Sequence, residues 1–278
     1  MDWSFPQEKN NKEPRVNDWL KQRVKLGRTD VFSGRLGLGS SYTLSCKAIE
    51  DAFKAGCNFF YWGAIRTPFM AKAVRRILRR EPRKDLIIAV QSFIRPFGME
   101  WSLKRGLWVL GIDFADIFVL GLYHKYPSPR LMERTEKLRK QGLFRYLGIS
   151  SHDRELLAML SLDPRFDILM VRYNAAHRGA EKDLFPYLPP ERPGIIGFTA
   201  TDHMRLSRSR KIPKHERRPS AGDCYRFVLS NAHIDMTITS PWNRKQMKEN
   251  LVETSKGPMS SKELEWMQRI GDAVYRPS

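Results

Sequence analysis

The sequence predicts an α/β protein built as one (β/α)8 barrel, with a small N-terminal hairpin and an extra C-terminal helix. Three observations lead there. Short apolar runs alternate with amphipathic stretches eight times along the chain. The runs are continuous rather than alternating, as in parallel strands covered by helical crossovers. The length, 278 residues, suits eight strand–helix units closed into a single barrel.

Residues 1–24 are polar and read as a loosely attached extension, leaving 25–278 for the barrel. Gly27 to Gly34 suggests a hairpin that closes the barrel floor. Leu36 to Ser40 then precedes a helical pattern over Leu44 to Ala55, and Asn58 to Trp62 precedes Pro68 to Arg80, where proline suits a helix start. Leu86 to Gln91 precedes Met99 to Leu110. Asp116 to Gly121 precedes Pro129 to Lys140, which Gly142 stops. Arg145 to Ser150 precedes Arg154 to Leu162, and Ile168 to Asn174 precedes Ala180 to Leu188. Ile195 to Thr199 is followed by a basic stretch and then Ala221 to Ser230; Ile234 to Thr239 precedes Arg244 to Val252. A last helix, Ser261 to Ala273, begins at a capping box, Ser260 to Glu263.

Composition narrows the function classes. No apolar run approaches a membrane span, and the N-terminus has no apolar signal region, so the expected location is cytoplasmic. Cys46, Cys57 and Cys224 are widely spaced and odd in number. They read as buried free thiols, with no metal-ligand spacing. The formal net charge is +19, which points to anionic partners such as phosphorylated ligands, anionic lipid or, less favoured, nucleic acid. No nucleic-acid-binding motif accompanies it. The basic residues concentrate in Arg75 to Lys84 and in Arg205 to Arg218. Each cluster reads either as a solvated surface or as an anion contact.

Several strings resemble the aldo-keto reductase superfamily over about residues 25 to 274. They are Leu26-Gly-Arg-Thr with Arg35-Leu-Gly-Leu-Gly39, Gly56-Cys-Asn-Phe-Phe60, Asp113 to Gly121, Gly142 to Ser151, and Glu249-Asn250-Leu251. The resemblance implies the barrel fold, an NADP or NAD cofactor and a small-molecule ligand at the barrel mouth. It also implies an Asp, Tyr, Lys and His at the active site. Those positions hold Tyr61, Arg66, Gln91 and Gly121. Gln91 and Gly121 cannot titrate and Arg66 stays protonated, so these residues cannot run the family's tyrosine-based proton transfer.

The cofactor positions that the resemblance marks survive in part. Ser150 matches the nicotinamide-binding serine and Ser151 replaces the asparagine after it. Met170 and Ala200 replace a glutamine and a stacking tyrosine, and Ser240-Pro241 replaces a Lys-Ser pair. Glu249 and Asn250 remain on the adenine side. Arg172 and Thr201 join the candidate cofactor contacts. His152 is the candidate replacement acid or base, weighed against a structural histidine. Arg172 reads as an anion clamp or as the partner of Glu181. Tyr61, Trp62 and Tyr123 read as a flat aromatic pocket or as core, and His177 and Arg178 as part of a structured loop. Two functions follow: an NAD(P)-dependent oxidoreductase-type protein with a non-standard site, or a non-catalytic barrel that binds a nucleotide, another anionic ligand or a protein partner.

Overall fold

The computed structural model describes residues 18–41, 43–63, 67–93 and 98–275. A short helix α1 (Asp18–Lys21) leads into an antiparallel pair, β1 (Val24–Lys25) and β2 (Phe32–Ser33). Then come β3 (Leu36–Leu38), α2 (Cys46–Lys54), β4 (Phe59–Trp62), α3 (Pro68–Ile77), β5 (Ile87–Ser92) and α4 (Met99–Leu110). The next units are β6 (Ala115–Leu120), α5 (Pro129–Lys140), β7 (Phe144–Ser151), α6 (Arg154–Ser161) and β8 (Ile168–Arg172). After α7 (Ala180–Asp183) follow β9 (Gly194–Phe198), α8 (Arg205–Arg208), α9 (Ala221–Leu229), β10 (Met236–Thr239), α10 (Arg244–Thr254) and α11 (Ser261–Val274). Strands β3 to β10 are parallel and close into an eight-stranded barrel. The predicted helix over Ala180 to Leu188 is broken into α7 and a 3-10 turn at Phe185–Tyr187, because Pro186 lacks the amide that a continuing helix needs.

Two apolar cores follow from the alternation of side chains along each strand. Inward residues Phe59, Ile87, Ala89, Ile117, Val119, Ile168, Met170, Ile196 and Met236 fill the barrel. Outward residues such as Trp62, Phe118 and Ile149 pack under the helices with the three free cysteines. The hairpin closes the floor as expected: Leu26 and Val31 enter the inner core. Residues 18–24 are docked rather than loose. Leu20 is buried in the outer core, the Arg35 guanidinium lies 4.8 Å from the Trp19 ring centre, and Arg23 donates to the Gly56 carbonyl at 2.7 Å.

The floor carries a repeated latch. Asn58, Asp116, Asp167 and Asp235, at the starts of β4, β6, β8 and β10, accept the amides of Gly34, Ile88, Leu147 and Ile195 at 2.8–2.9 Å. The three carboxylates also pair with Arg83, Arg139 and Arg192 at 2.8, 3.3 and 2.6 Å. Each latch ties one strand to the one before it and satisfies a buried amide. Chemistry is left to the opposite rim, where strand C-termini converge.

Candidate functional site at the C-terminal rim

Strand alternation brings Tyr61, Gln91, Gly121 and Ser150 to the top of the barrel interior, one above each inward core residue of β4 to β7. The centre is closed. Gln91 donates to Ser150 Oγ at 3.3 Å, and the same oxygen accepts the Leu122 amide at 3.0 Å. A Cβ on residue 121 would stand 2.6 Å from Gln91 Nε2, 2.7 Å from the Phe93 ring and 2.9 Å from the Ser92 carbonyl. The Gln91 amide thus fills the space a side chain at 121 would need. The Tyr61 ring lies back over Gly63, where a Cβ would come within 2.3 Å of it. Burial pushes the Tyr61 hydroxyl pKa above the ordinary tyrosine value, so it is a poor proton donor near neutrality.

The β7–β9 side of the rim is more open, with His152, Arg172 and Phe198 half-buried. His152, the next inward position after Ser150, stacks on Phe198 with ring centres 5.6 Å apart. Arg172 is paired in register with Phe198 and lies half-buried beside them. Its guanidinium has no hydrogen-bonded carboxylate among the described residues. Burial lowers its pKa from the usual arginine value, as does Arg154, while Asp202 works the other way. Burial likewise lowers the His152 pKa, followed by the charges of Arg172, His124, His177 and His203. The shift favours the neutral imidazole and makes it a weaker base than an ordinary histidine.

The loop after β9 frames this side. Thr199, Asp202, His203 and Met204 all have left-handed φ, between 48° and 68°. With Leu122 after β6, they are the non-glycine residues of positive φ among the described residues, and all lie at this rim. For a β-branched residue such as Thr199 that conformation is strained, and strain collects at functional sites. Thr199 Oγ1 and Ser207 Oγ are buried without a hydrogen-bond partner. The basic stretch is not a solvated coil. Leu206 and Ile212 anchor it in the outer core, and Arg218 donates to the carbonyls of Ser207 and Ser209 at 3.2 and 3.0 Å. Asp202 holds Arg205 at 2.7 Å and Arg217 holds Asp223 at 2.8 Å. Arg208, Arg210 and Lys211 are exposed or half-exposed side chains with no acidic partner among the described residues.

The profile of the Aldo/keto reductase family matches residues 32–221. The chain belongs to the aldo/keto reductase family. No curated protein matches it significantly. Among solved structures it is similar to an aldo-keto reductase from Bacillus halodurans in its holo form, at 19% identity and TM-score 0.75, covering 92% of this chain and 98% of the other. It is also similar to the thermostable aldo-keto reductase Tm1743 in complex with the inhibitor epalrestat, at 20% identity and TM-score 0.70, covering 89% and 99%. A third is an aldo-keto reductase from Klebsiella pneumoniae in complex with NADPH, at 19% identity and TM-score 0.71, covering 91% and 95%.

Within this aldo/keto reductase barrel the sequence candidates separate. Tyr61, Gln91, Ser150, His152 and Arg172 come together at the rim; Arg66 lies outside the described residues. Ser151 points outward and is fully buried, its hydroxyl donating to the Tyr123 carbonyl at 2.5 Å and accepting the Asp153 amide at 2.9 Å. Thr201 Oγ1 accepts the Met204 amide at 3.3 Å within the strained turn. Ser240 is exposed beside Gly39, Glu249 is exposed 4.0 Å from Lys245, and Asn250 is buried and donates to Thr239 at 3.0 Å. Glu181 receives the Tyr173 hydroxyl at 2.5 Å, so it is not the partner of Arg172. Of the two readings left open for the aromatic residues, core packing holds for Trp62 and Tyr123, which pack outward under the helices. Sequence reading missed Phe198, which its inward parity signals, and the left-handed run, which a string without glycine does not.

Proposed function

We propose that this chain is an oxidoreductase-type barrel that binds a nicotinamide dinucleotide, NADP or NAD, at its C-terminal rim without the tyrosine-based proton relay of its family. The carrying observation is Arg172, a half-buried guanidinium with no bonded carboxylate, near Arg154, Arg205 and His152. The rim fits a phosphate-bearing group. The buried, unpartnered hydroxyls of Thr199 and Ser207 offer donors in the loop after β9. Arg208, Arg210 and Lys211 lie on the same loop. Guanidinium forks hold phosphate oxygens in pairs. One relative is described in complex with NADPH, which supports the same ligand class here.

A bound nicotinamide dinucleotide supplies hydride chemistry. On the protein side, Arg172 holds an anionic oxygen and Phe198 with His152 forms a stacking wall. Gln91 and Ser150 are buried and bonded to each other across the centre at 3.3 Å. None of Tyr61, Gln91, Gly121 and His152 presents an acidic proton at neutral pH. This favours a second reading, in which the same ligand is bound without turnover.

The test is titration with NADPH, NADP+, NADH and NAD+, followed by intrinsic tryptophan fluorescence. Binding should weaken about tenfold or more in Arg172→Gln, as expected for losing a charged hydrogen bond. Neutralising Arg208, Arg210 and Lys211 should weaken the dinucleotide more than a nucleoside lacking phosphate. A bound phosphate raises the His152 pKa from its lowered free value, so a proton is taken up on binding. Affinity should therefore rise as pH falls toward the lowered His152 range, below the ordinary histidine value of about 6.5, and His152→Asn should flatten that slope. Turnover of a generic aldehyde panel with NADPH should stay about 10²–10⁴-fold below that of an enzyme with a working general acid. Equal affinity in wild type and Arg172→Gln would remove Arg172 from the site, and robust aldehyde reduction would overturn the missing relay.

A further inference from the structure

Helix α4 has two apolar faces where one would suffice. Its inner face buries Met99, Leu103, Leu107 and Leu110 against the barrel. Its outer face carries Trp101, 54% exposed, and Trp108, 74% exposed. Seven residues apart, the two indoles fall on the same side of the helix, and Lys104 and Arg105 lie between them. The Arg105 guanidinium is 5.9 Å from the Trp101 ring centre and 5.6 Å from that of Trp108. Large exposed aromatics contribute nothing to the core and mark contact surfaces. We propose that this face of α4 docks the protein on an anionic lipid surface, with Trp101 and Trp108 as interfacial anchors and Lys104 and Arg105 contacting the headgroups.

The charge around the patch selects this occupant. Glu100, the single acidic residue of α4, is already held by Lys104 at 2.7 Å. Lys137 and Arg134 on α5 also act on it. On the other side, Arg75 of α3 donates to the Val109 carbonyl of α4, and Arg79, four residues on, is exposed, while Arg76 and Arg80 pair with Glu50 of α2 at 3.0 and 3.6 Å. Three adjacent helices thus present cations around two protruding indoles, on a molecule of net charge +19. Tryptophan settles at the headgroup level of a bilayer, and each nearby Lys or Arg strengthens attraction to an anionic leaflet. A single-stranded nucleic acid would instead need a groove with open ring faces. Here the Arg105 guanidinium lies against both indoles, 5.9 and 5.6 Å from their ring centres. The patch sits on the barrel flank, so the proposal is independent of the dinucleotide reading.

The test is flotation with vesicles of phosphatidylcholine alone and of phosphatidylcholine mixed with phosphatidylserine, at low and physiological salt. The protein should float with the mixed vesicles and not with phosphatidylcholine alone, and less at the higher salt. Trp101→Ala/Trp108→Ala should reduce binding about tenfold or more while circular dichroism and dinucleotide affinity stay unchanged. Lys104→Glu/Arg105→Glu, a second route through solvent-facing positions, should remove the preference for the anionic vesicles. Absence of wild type from the mixed-vesicle fraction at low salt would overturn the proposal. So would wild-type flotation of both double variants. Tight binding of an oligonucleotide that the tryptophan variant loses, without vesicle binding, would reassign the patch to nucleic acid.

Discussion

Gly121 and Gln91 share one volume. Gly121 stands where the family resemblance implies a histidine, and the Gln91 amide, one strand earlier in sequence, occupies the space. The space at residue 121 is therefore packed rather than empty. Gly121→Ala should destabilise the protein by about 1–3 kcal/mol, the usual cost of overpacking. Shortening Gln91 to Ala in the same chain should recover part of that loss, although the Ser92 carbonyl still crowds the new methyl at 2.9 Å. A double-mutant cycle by urea denaturation measures the coupling; strictly additive effects would show that the two residues do not compete for the space. Restoring a histidine at 121 alone should fail for the same steric reason.

At the scale of elements, the barrel is held from below and strained from above. The Asn/Asp latches join consecutive strands at the floor, whereas the left-handed residues of the β9 loop and Leu122 gather at the top. Asp116→Ala removes the acceptor of the Ile88 amide and leaves Arg83 without its carboxylate at 2.8 Å. Arg145 would lose a longer contact, at 3.8 Å. The expected loss is about 3–5 kcal/mol, as for breaking one side of a buried pair. Dinucleotide affinity of the folded fraction should not change, because the latch lies at the opposite end of the strands from Arg172. Denaturation together with the fluorescence titration reads both quantities. A fall in affinity with no fall in stability would contradict this division of the barrel.

The whole molecule carries a net charge of +19, and its acids are largely spent on structural pairs such as Arg226–Glu263 and Arg192–Asp235 at 2.6 Å. The remaining cations repel one another, and that repulsion opposes compaction. Added salt screens it over roughly 8–10 Å at moderate ionic strength, while partly buried pairs are screened less. The melting temperature should rise as salt increases from low to physiological concentration. Differential scanning fluorimetry across a salt series checks this. A melting temperature that falls with salt would mean that exposed ion pairs outweigh the repulsion.

The strand–helix alternation, the continuous apolar runs and the helix signals at Pro68, Pro129 and Ser260 were enough to derive the eight-fold barrel and most element bounds. They report local periodicity and capping, which the chain carries in its own order. The same alternation put Tyr61, Gln91, Gly121 and Ser150 on one rim, and their chemistry is the ground for proposing a site without the usual relay. Tertiary structure alone decided the rest. Whether Ser151 and Asn250 face a ligand or a neighbouring segment depends on residues distant in sequence, and both are buried against protein partners, Tyr123 and Thr239. Arg172 stays without a bonded carboxylate because Tyr173 occupies Glu181 and Asp202 is taken by Arg205. The Gln91–Gly121 exchange of volume, the latches and the backbone strain after β9 are likewise relations between segments. Sequence order determines which chemistry is present on each strand, and the closing of the barrel determines which of those groups are left with something to bind.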